Sequence, residues 1–203
     1  YEETCLRLKE CYDGYHFVEN SIGMYNPFSL LNTFARRKFG DYWFETGRPS
    51  YLVELLKHTH YDLYEMANTE TDVDVLNSID SASINPVPVI YQSGYLTIKD
   101  YDPEFGIYRL GFPNREVEEG FVKYLLPFYT SVSAPKTPFE IGQFVREIRS
   151  GDYDAFFRRL QSFFADTPYE VIAGQKPERD TELHYRNVLF IVFKLVGLYT
   201  QVE

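Results

Sequence analysis

Cationic charge, cysteine and long apolar runs are all scarce in this chain, and each scarcity removes a class of function. With 20 Lys and Arg against 30 Asp and Glu, the 203 residues carry a net charge of -10. Such a surface opposes broad attraction to a nucleic-acid backbone, which requires clustered cations. The two cysteines, Cys5 and Cys11, have the spacing of neither a metal knuckle nor a redox pair. They read as free thiols of a reducing, cytoplasmic compartment. The most apolar stretch, Val188 to Leu198, is shorter than a bilayer span and contains Lys194, so it reads as a buried helix and the chain as one without a membrane partner. The opening YEETCLRLKECY is a charged amphipathic helix and has no basic region leading into an apolar run, the pattern of a signal peptide.

Aromatic rings, in contrast, are plentiful: 18 Tyr and 17 Phe in a chain that is 44% hydrophobic. A core of tightly packed rings follows, with Tyr hydroxyls reaching its edge. The chain is organised around one stretch, PVPVIYQSGYLTIKDYDPEFGIYRLGFPN, residues 86–114. Tyr95 to Lys99 and Ile107 to Leu110 alternate in polarity and are rich in β-branched and aromatic residues, which predicts two short strands. Between them Asp100, Asp102, Pro103, Glu104 and Gly106 supply turn chemistry. A two-stranded hairpin is therefore set among helices.

Helical patterns cover most of the remainder. Glu2 to Tyr12 places Cys5, Leu8 and Tyr12 on one side and stops at Asp13-Gly14. Asn26 caps and Pro27 opens a second helix, with Phe28, Leu31, Phe34 and Ala35 expected inward. Others run from Tyr51 to His58 and from Arg115 to Leu126, where Pro127 is expected to end or kink the helix. Asn68 to Asp80 reads as a short strand and an acidic loop. Ser131 to Pro138 has linker composition and marks a domain boundary. Beyond it, Ser150-Gly151-Asp152 joins two Phe-rich helices into a hairpin, Ala173 to Asp180 is polar and flexible, and Thr181-Glu182 begins a last, largely apolar helix. Both ends read as cut, with further domains expected on either side.

Several groups invite a functional reading and have a plainer one beside it. His16 lies between two aromatics with no ligand at metal spacing, and His58 and His60 lack a third ligand. Asp72 and Asp74 open like a calcium loop but lack its Gly and terminal Glu. Arg36-Arg37-Lys38 could touch phosphate, yet cations at a helix C-terminus complement its dipole. Glu118 and Glu119 are adjacent on a helix and point apart, which does not suit acid–base cooperation.

The runs YDGYHF (12–17), YNPFSLL (25–31), YWFETG (42–47), YQSGYLTI (91–98) and LGFPN (110–114), followed by LQSFFA (160–165) and residues 185–197, resemble bacterial proteins with an AAA-ATPase-like N-terminal region and a PD-(D/E)XK-type nuclease domain, common in gut Bacteroidetes. The resemblance implies a mainly α (α+β) fold. Residues 1–130 would be a helical lid and a winged-helix-like module whose wing is the hairpin, and residues 131–203 the incomplete helical start of the nuclease-like domain. It also implies ATP and Mg as cofactors of the parent protein and none in this fragment, because no G-x-x-x-x-G-K-[ST] occurs in these residues and the nuclease Asp and Glu-x-Lys would lie after residue 203. Glu182 falls where such nuclease folds place an acidic residue on their first helix. Its plainer role is that of a charged first-turn residue.

The function so implied is that of a non-catalytic middle segment coupling an ATP site to a nucleic-acid-acting domain, with the flanking domains of the same chain as partners and nucleic acid as a partner of the parent. Two other readings stand beside it. One is a winged-helix DNA-binding module, opposed by the carboxylates Asp100, Asp102 and Glu104 at the wing tip and by a proline-broken recognition segment at 86–91. The other is a protein-interaction scaffold that uses exposed aromatics.

Overall fold

The computed structural model describes residues 2–45, 49–66, 69–78, 85–165 and 179–200. The protein is mainly helical with one small antiparallel sheet. It forms two compact units, Tyr1–Phe121 and Val122–Glu203.

In the first unit, α1 (Glu2–Tyr12), α2 (Pro27–Arg36), α3 (Tyr42–Glu45), α4 (Ser50–His58), α5 (Leu63–Met66), α6 (Val73–Asn77) and α7 (Val87–Gln92) accompany three strands, β1 (Thr69–Thr71), β2 (Thr97–Asp102) and β3 (Ile107–Gly111). The expected hairpin is joined by a third strand, the short one read between Asn68 and Asp80. β1 comes from the acidic stretch and pairs antiparallel with β3, giving the order β1-β3-β2. The register explains it. Thr69 and Ile98 both lie opposite Leu110 on the buried face, while Glu70 and Asp100 lie opposite Arg109. Arg109 reaches Asp100 at 3.3 Å and Glu70 at 3.8 Å, cross-strand ion pairs exposed enough to add only tenths of a kcal/mol each.

The turn follows from its residues. Asp102 Oδ1 accepts the Glu104 and Phe105 amides, and Gly106 takes φ +67°. Behind the sheet, Leu52, Leu56, Leu63, Met66, Ile90 and Leu96 are buried. Beside them runs a chain of rings, Trp43 on Tyr95 at 4.7 Å and Tyr95 on Phe121 at 4.7 Å.

The orientation of α2 differs from expectation. Its cap is as read from the sequence: Asn26 Oδ1 accepts the Phe28 and Ser29 amides, and Pro27 sits in the first turn. Its apolar stripe, however, faces out. Phe28, Leu31 and Phe34 are 43%, 66% and 59% exposed, and Ala35 is exposed too, while Ser29 and Thr33 are buried. The helix is rolled so that the Ser29 hydroxyl meets the buried Glu116 carboxylate. Cys5 is likewise exposed where an inward side chain was expected.

α8 (Arg115–Tyr129) begins in the first unit and continues without a break through Pro127, where an end or kink was expected. The chain next makes a short 3-10 turn, Ala134–Lys136, which leads into α9 (Thr137–Ser150). Gly151 closes α9 at φ +74°, and Asp152 Oδ1 accepts the Ala155 amide to cap α10 (Tyr153–Ala165), the expected helical hairpin. Phe144 meets Phe156 at 5.2 Å and Phe163 at 5.1 Å. Arg159 clamps the pair, with bonds of 2.7 to 3.1 Å to Glu147 and 2.9 Å to Glu140. The last helix, α11 (Arg179–Thr200), buries Val188, Ile191, Val192 and Leu195. The polar stretch expected before it lies, apart from Arg179 and Asp180, outside the described residues.

Gly14 is placed so that a side chain does not fit. Gly14 takes φ +110°, and a Cβ there would sit 2.2 Å from the Pro113 carbonyl oxygen. A Gly14→Ala chain is expected to lose about 2–4 kcal/mol of stability in urea unfolding. Gly106→Ala, with positive φ but nothing within 4 Å, should lose only about 1–2 kcal/mol. Equal losses would show that the contact with Pro113 is not tight.

Candidate functional site

Two of the polar residues that the first unit buries, Asn114 and Glu116, lie at the start of α8, and a third, Ser29, bonds to Glu116. Asn114 caps that helix, its Oδ1 accepting the Val117 amide at 3.1 Å. Glu116 follows in the first turn, where the helix dipole favours a carboxylate, yet it is only 3% exposed. Its Oε1 accepts the Ser29 hydroxyl and the Trp43 amide, each at 2.9 Å. One carboxylate oxygen thereby ties α2 and α3 to α8. The other, Oε2, is buried with no hydrogen-bond partner, as is Asn114 Nδ2. Burial pushes the Glu116 carboxyl above its ordinary range, with Asp41 acting in the same direction and the Trp43 and Ser29 donors opposing it.

The neighbouring turns are tied in the same way. The Tyr12 hydroxyl donates to the Gly40 carbonyl and accepts from the Gly40 amide, both at 3.1 Å. The Asn26 amide donates to the Tyr12 carbonyl at 2.8 Å. The Thr97 hydroxyl accepts from the His16 amide at 2.7 Å and donates to the His16 carbonyl at 2.8 Å. Lys99 Nζ donates to the Pro113 carbonyl at 3.1 Å, the oxygen against which Gly14 packs. Burial lowers the Lys99 pKa, while Glu118 and Asp13 hold it up. Arg115 closes the edge on Glu10 at 2.8 Å and Glu119 at 3.5 Å.

The remaining residues singled out in the sequence are dispersed. Glu182 is an exposed member of an i,i+4 pair with Arg186 at 3.0 Å on α11. His16 meets the Ser21 carbonyl at 2.9 Å within its own loop. His58 ends α4, and His60 occupies the following turn at φ +50°. Asp72, expected in an acidic loop, caps α6 through the Val75 amide at 2.8 Å, and Asp74 sits in the first turn of that helix. Arg36 lies 4.9 Å over the Tyr42 ring, and Arg37 ends α2 in the left-handed conformation. Both cysteines are free, and burial together with Glu10 pushes the Cys11 thiol up to about 11. Among the described residues no three His, Cys, Asp or Glu side chains converge as a metal site would need, and no helix is long and apolar enough to cross a membrane.

Glu116 is the residue that sequence reading passed over. Its local signal is that of any first-turn acid. Its burial depends on Ser29 and Trp43, which are 87 and 73 positions away.

No family model matches the chain, and no solved structure matches it. It is 29% identical over 199 residues to an uncharacterized protein in the vnfD 5' region of Azotobacter chroococcum mcd 1. The match covers 97% of this chain and 38% of that protein, so the chain spans well under half the length of this relative.

A carboxyl whose pKa is raised on folding contributes stability that is complete below its unfolded value of about 4.3 and is lost as pH rises through the folded value. Glu116→Gln removes that slope. In melting curves from pH 4 to 8 the variant should gain on the wild type as pH rises and then hold a constant margin. A margin that shrinks with pH would mean that burial does not dominate at Glu116. Ser29→Ala, which strips a donor from the buried carboxylate, should cost about 1–3 kcal/mol.

Proposed function

We propose that this chain is the non-catalytic coupling segment of an AAA-ATPase-like protein with a nuclease-like C-terminal domain. Its work is to hold flanking domains in a defined relation, so that the state of an ATP site bears on a nucleic-acid-acting domain. One observation carries the reading. The runs on which the resemblance rests are far apart in sequence, yet five of them, YDGYHF, YNPFSLL, YWFETG, YQSGYLTI and LGFPN, converge on the network around Glu116. There Asn26, Ser29, Thr97 and the backbone of Gly14, His16, Trp43 and Pro113 are committed to bonds and contacts between elements. Groups so engaged act as joints between elements.

ATP and Mg belong, in this reading, to the parent protein, and so does nucleic acid. The partners of the segment are the domains on either side, and its compartment is the cytoplasm, where two unpaired thiols are at home. Direct DNA reading is disfavoured because the hairpin end presents Asp102 and Glu104, both exposed, to any approaching phosphate, while Asp100 pairs with Arg109 within the sheet.

The test is an assay of the 203-residue chain itself. With ATP and Mg it should show neither nucleotide binding by calorimetry nor turnover, and it should leave duplex and single-stranded DNA unshifted in gels at low salt. ATP turnover that co-purifies with the chain, or a salt-sensitive shift, would overturn the proposal.

A further inference from the structure

A cleft of about 390 Å³ opens in the first unit where α5, β1 and the start of α7 meet, a volume within the ~300–1,000 Å³ of small-molecule sites. Tyr61, Tyr64 and Glu65 line it from α5 and the turn before it, Thr69 and Glu70 from β1, and Asn85 and Val87 from the α7 end. It shares no residue with the network around Glu116. Hydrogen bonds fix its walls. Thr69 Oγ1 gives its proton to the Glu65 carbonyl at 2.9 Å, so in the 3.3 Å pair with Tyr61 the tyrosine hydroxyl is the donor, and this relay holds Tyr61 to β1. Asn85 Oδ1 accepts the Val87 amide at 3.0 Å and fixes the α7 side. Val87 is buried, while the Tyr64 side chain is 65% exposed.

Charge states what such a cleft would hold. None of its lining residues is cationic. The run 61–98, from which all of them come, contains six carboxylates and neither Lys, Arg nor His. Burial raises the Tyr61 pKa and the bond to Thr69 opposes this, while Glu65 and Asp62 add to the rise, so the wall lies in a negative field. Arg109 approaches Glu70 from β3 at 3.8 Å, well beyond the ~2.7–2.9 Å of a full charge-assisted bond, and is shared with Asp100. Glu70 therefore retains hydrogen-bonding capacity for a second cation. Among the described residues no three His, Cys, Asp or Glu side chains converge as a metal ion would need, whereas a ring face beside carboxylates suits a cation that also has apolar surface.

We propose that this cleft binds a small organic cation, a guanidinium or primary ammonium on a short apolar stem, with its head on the Glu65 and Glu70 carboxylates and its stem along Tyr64 and Val87. The net charge of -10 assists by drawing cations toward the chain and repelling anions.

The experiment titrates the full 203-residue chain with two probes, agmatine and an arginine capped at both ends, at physiological salt, and follows backbone amides by NMR. Saturable shifts should centre on residues 61–70 and 85–87. Tighter binding of agmatine would identify a free amine as the natural occupant, and equal or tighter binding of capped arginine a side chain of a polypeptide. Tyr64→Ala should weaken binding about two- to fivefold and Tyr64→Phe should leave it unchanged, because the ring face and not the hydroxyl is used. Glu65→Gln combined with Glu70→Gln should weaken it about fivefold or more. Glu104→Gln combined with Glu182→Gln, which removes the same charge elsewhere, should not. All these positions are exposed, and an unaltered circular dichroism spectrum is expected for each variant. No saturable shift with either probe in the millimolar range, shifts spread over the acidic surface at large, indifference to the Glu65 and Glu70 changes, or equal weakening by the control pair would each overturn the proposal.

Discussion

A carboxylate taken out of water must be given donors, and the way Glu116 is given them governs the form of the first unit. Water would offer its oxygens several hydrogen bonds. The fold offers Ser29 from α2 and the Trp43 amide from α3, and each donor brings a whole element with it. Removing one donor leaves a charge that the interior cannot accommodate, so the bond is worth more in its loss than in its formation. α3 has only four residues and could not persist as an isolated helix. Its place depends on that amide and on the packing of Trp43 and Phe44 against Tyr95.

The same requirement decides which way α2 faces. A ten-residue helix with a clean apolar stripe would ordinarily bury that stripe. Here the buried carboxylate and the cap at Asn26 hold the Ser29 side inward, and the side chains of Phe28, Leu31 and Phe34 are left outside. Local amphipathicity and a distant polar demand conflict, and in this fold the polar demand prevails. The result is an exposed apolar face, produced by a constraint on the opposite side of the helix.

Features governed by near neighbours could be read from the chain alone. The bounds of α1, the Asn26-Pro27 start of α2, the hairpin with Asp102 and Gly106 at its turn, the Gly151-Asp152 junction of α9 and α10 and the buried α11 all rest on chemistry within a few residues. Features governed by distant partners were hidden. The short strand expected between Asn68 and Asp80 is β1, but its pairing with β3 could not be read, because Thr69 to Thr71 has no apolar alternation to mark a sheet face. The roll of α2 needed Glu116, and Glu116 resembled an ordinary first-turn acid until Ser29 and Trp43 were placed beside it. At the site, the bonds from Ser29 and Trp43 to Glu116 could not be inferred from their spacing, whereas the surface character of Glu182 followed from its position in the first turns of a helix next to Arg186.

Native-state hydrogen exchange at the Trp43 amide tests the central claim most directly, since that N–H lies in a helix too short to protect itself and its acceptor is the Glu116 carboxylate. The account requires this amide to exchange as slowly as those of Leu56 and Val117 in the core of the same unit, and to lose that protection when Glu116 is replaced by Ala. Exchange at the rate of an exposed loop, or protection that survives the replacement, would contradict it.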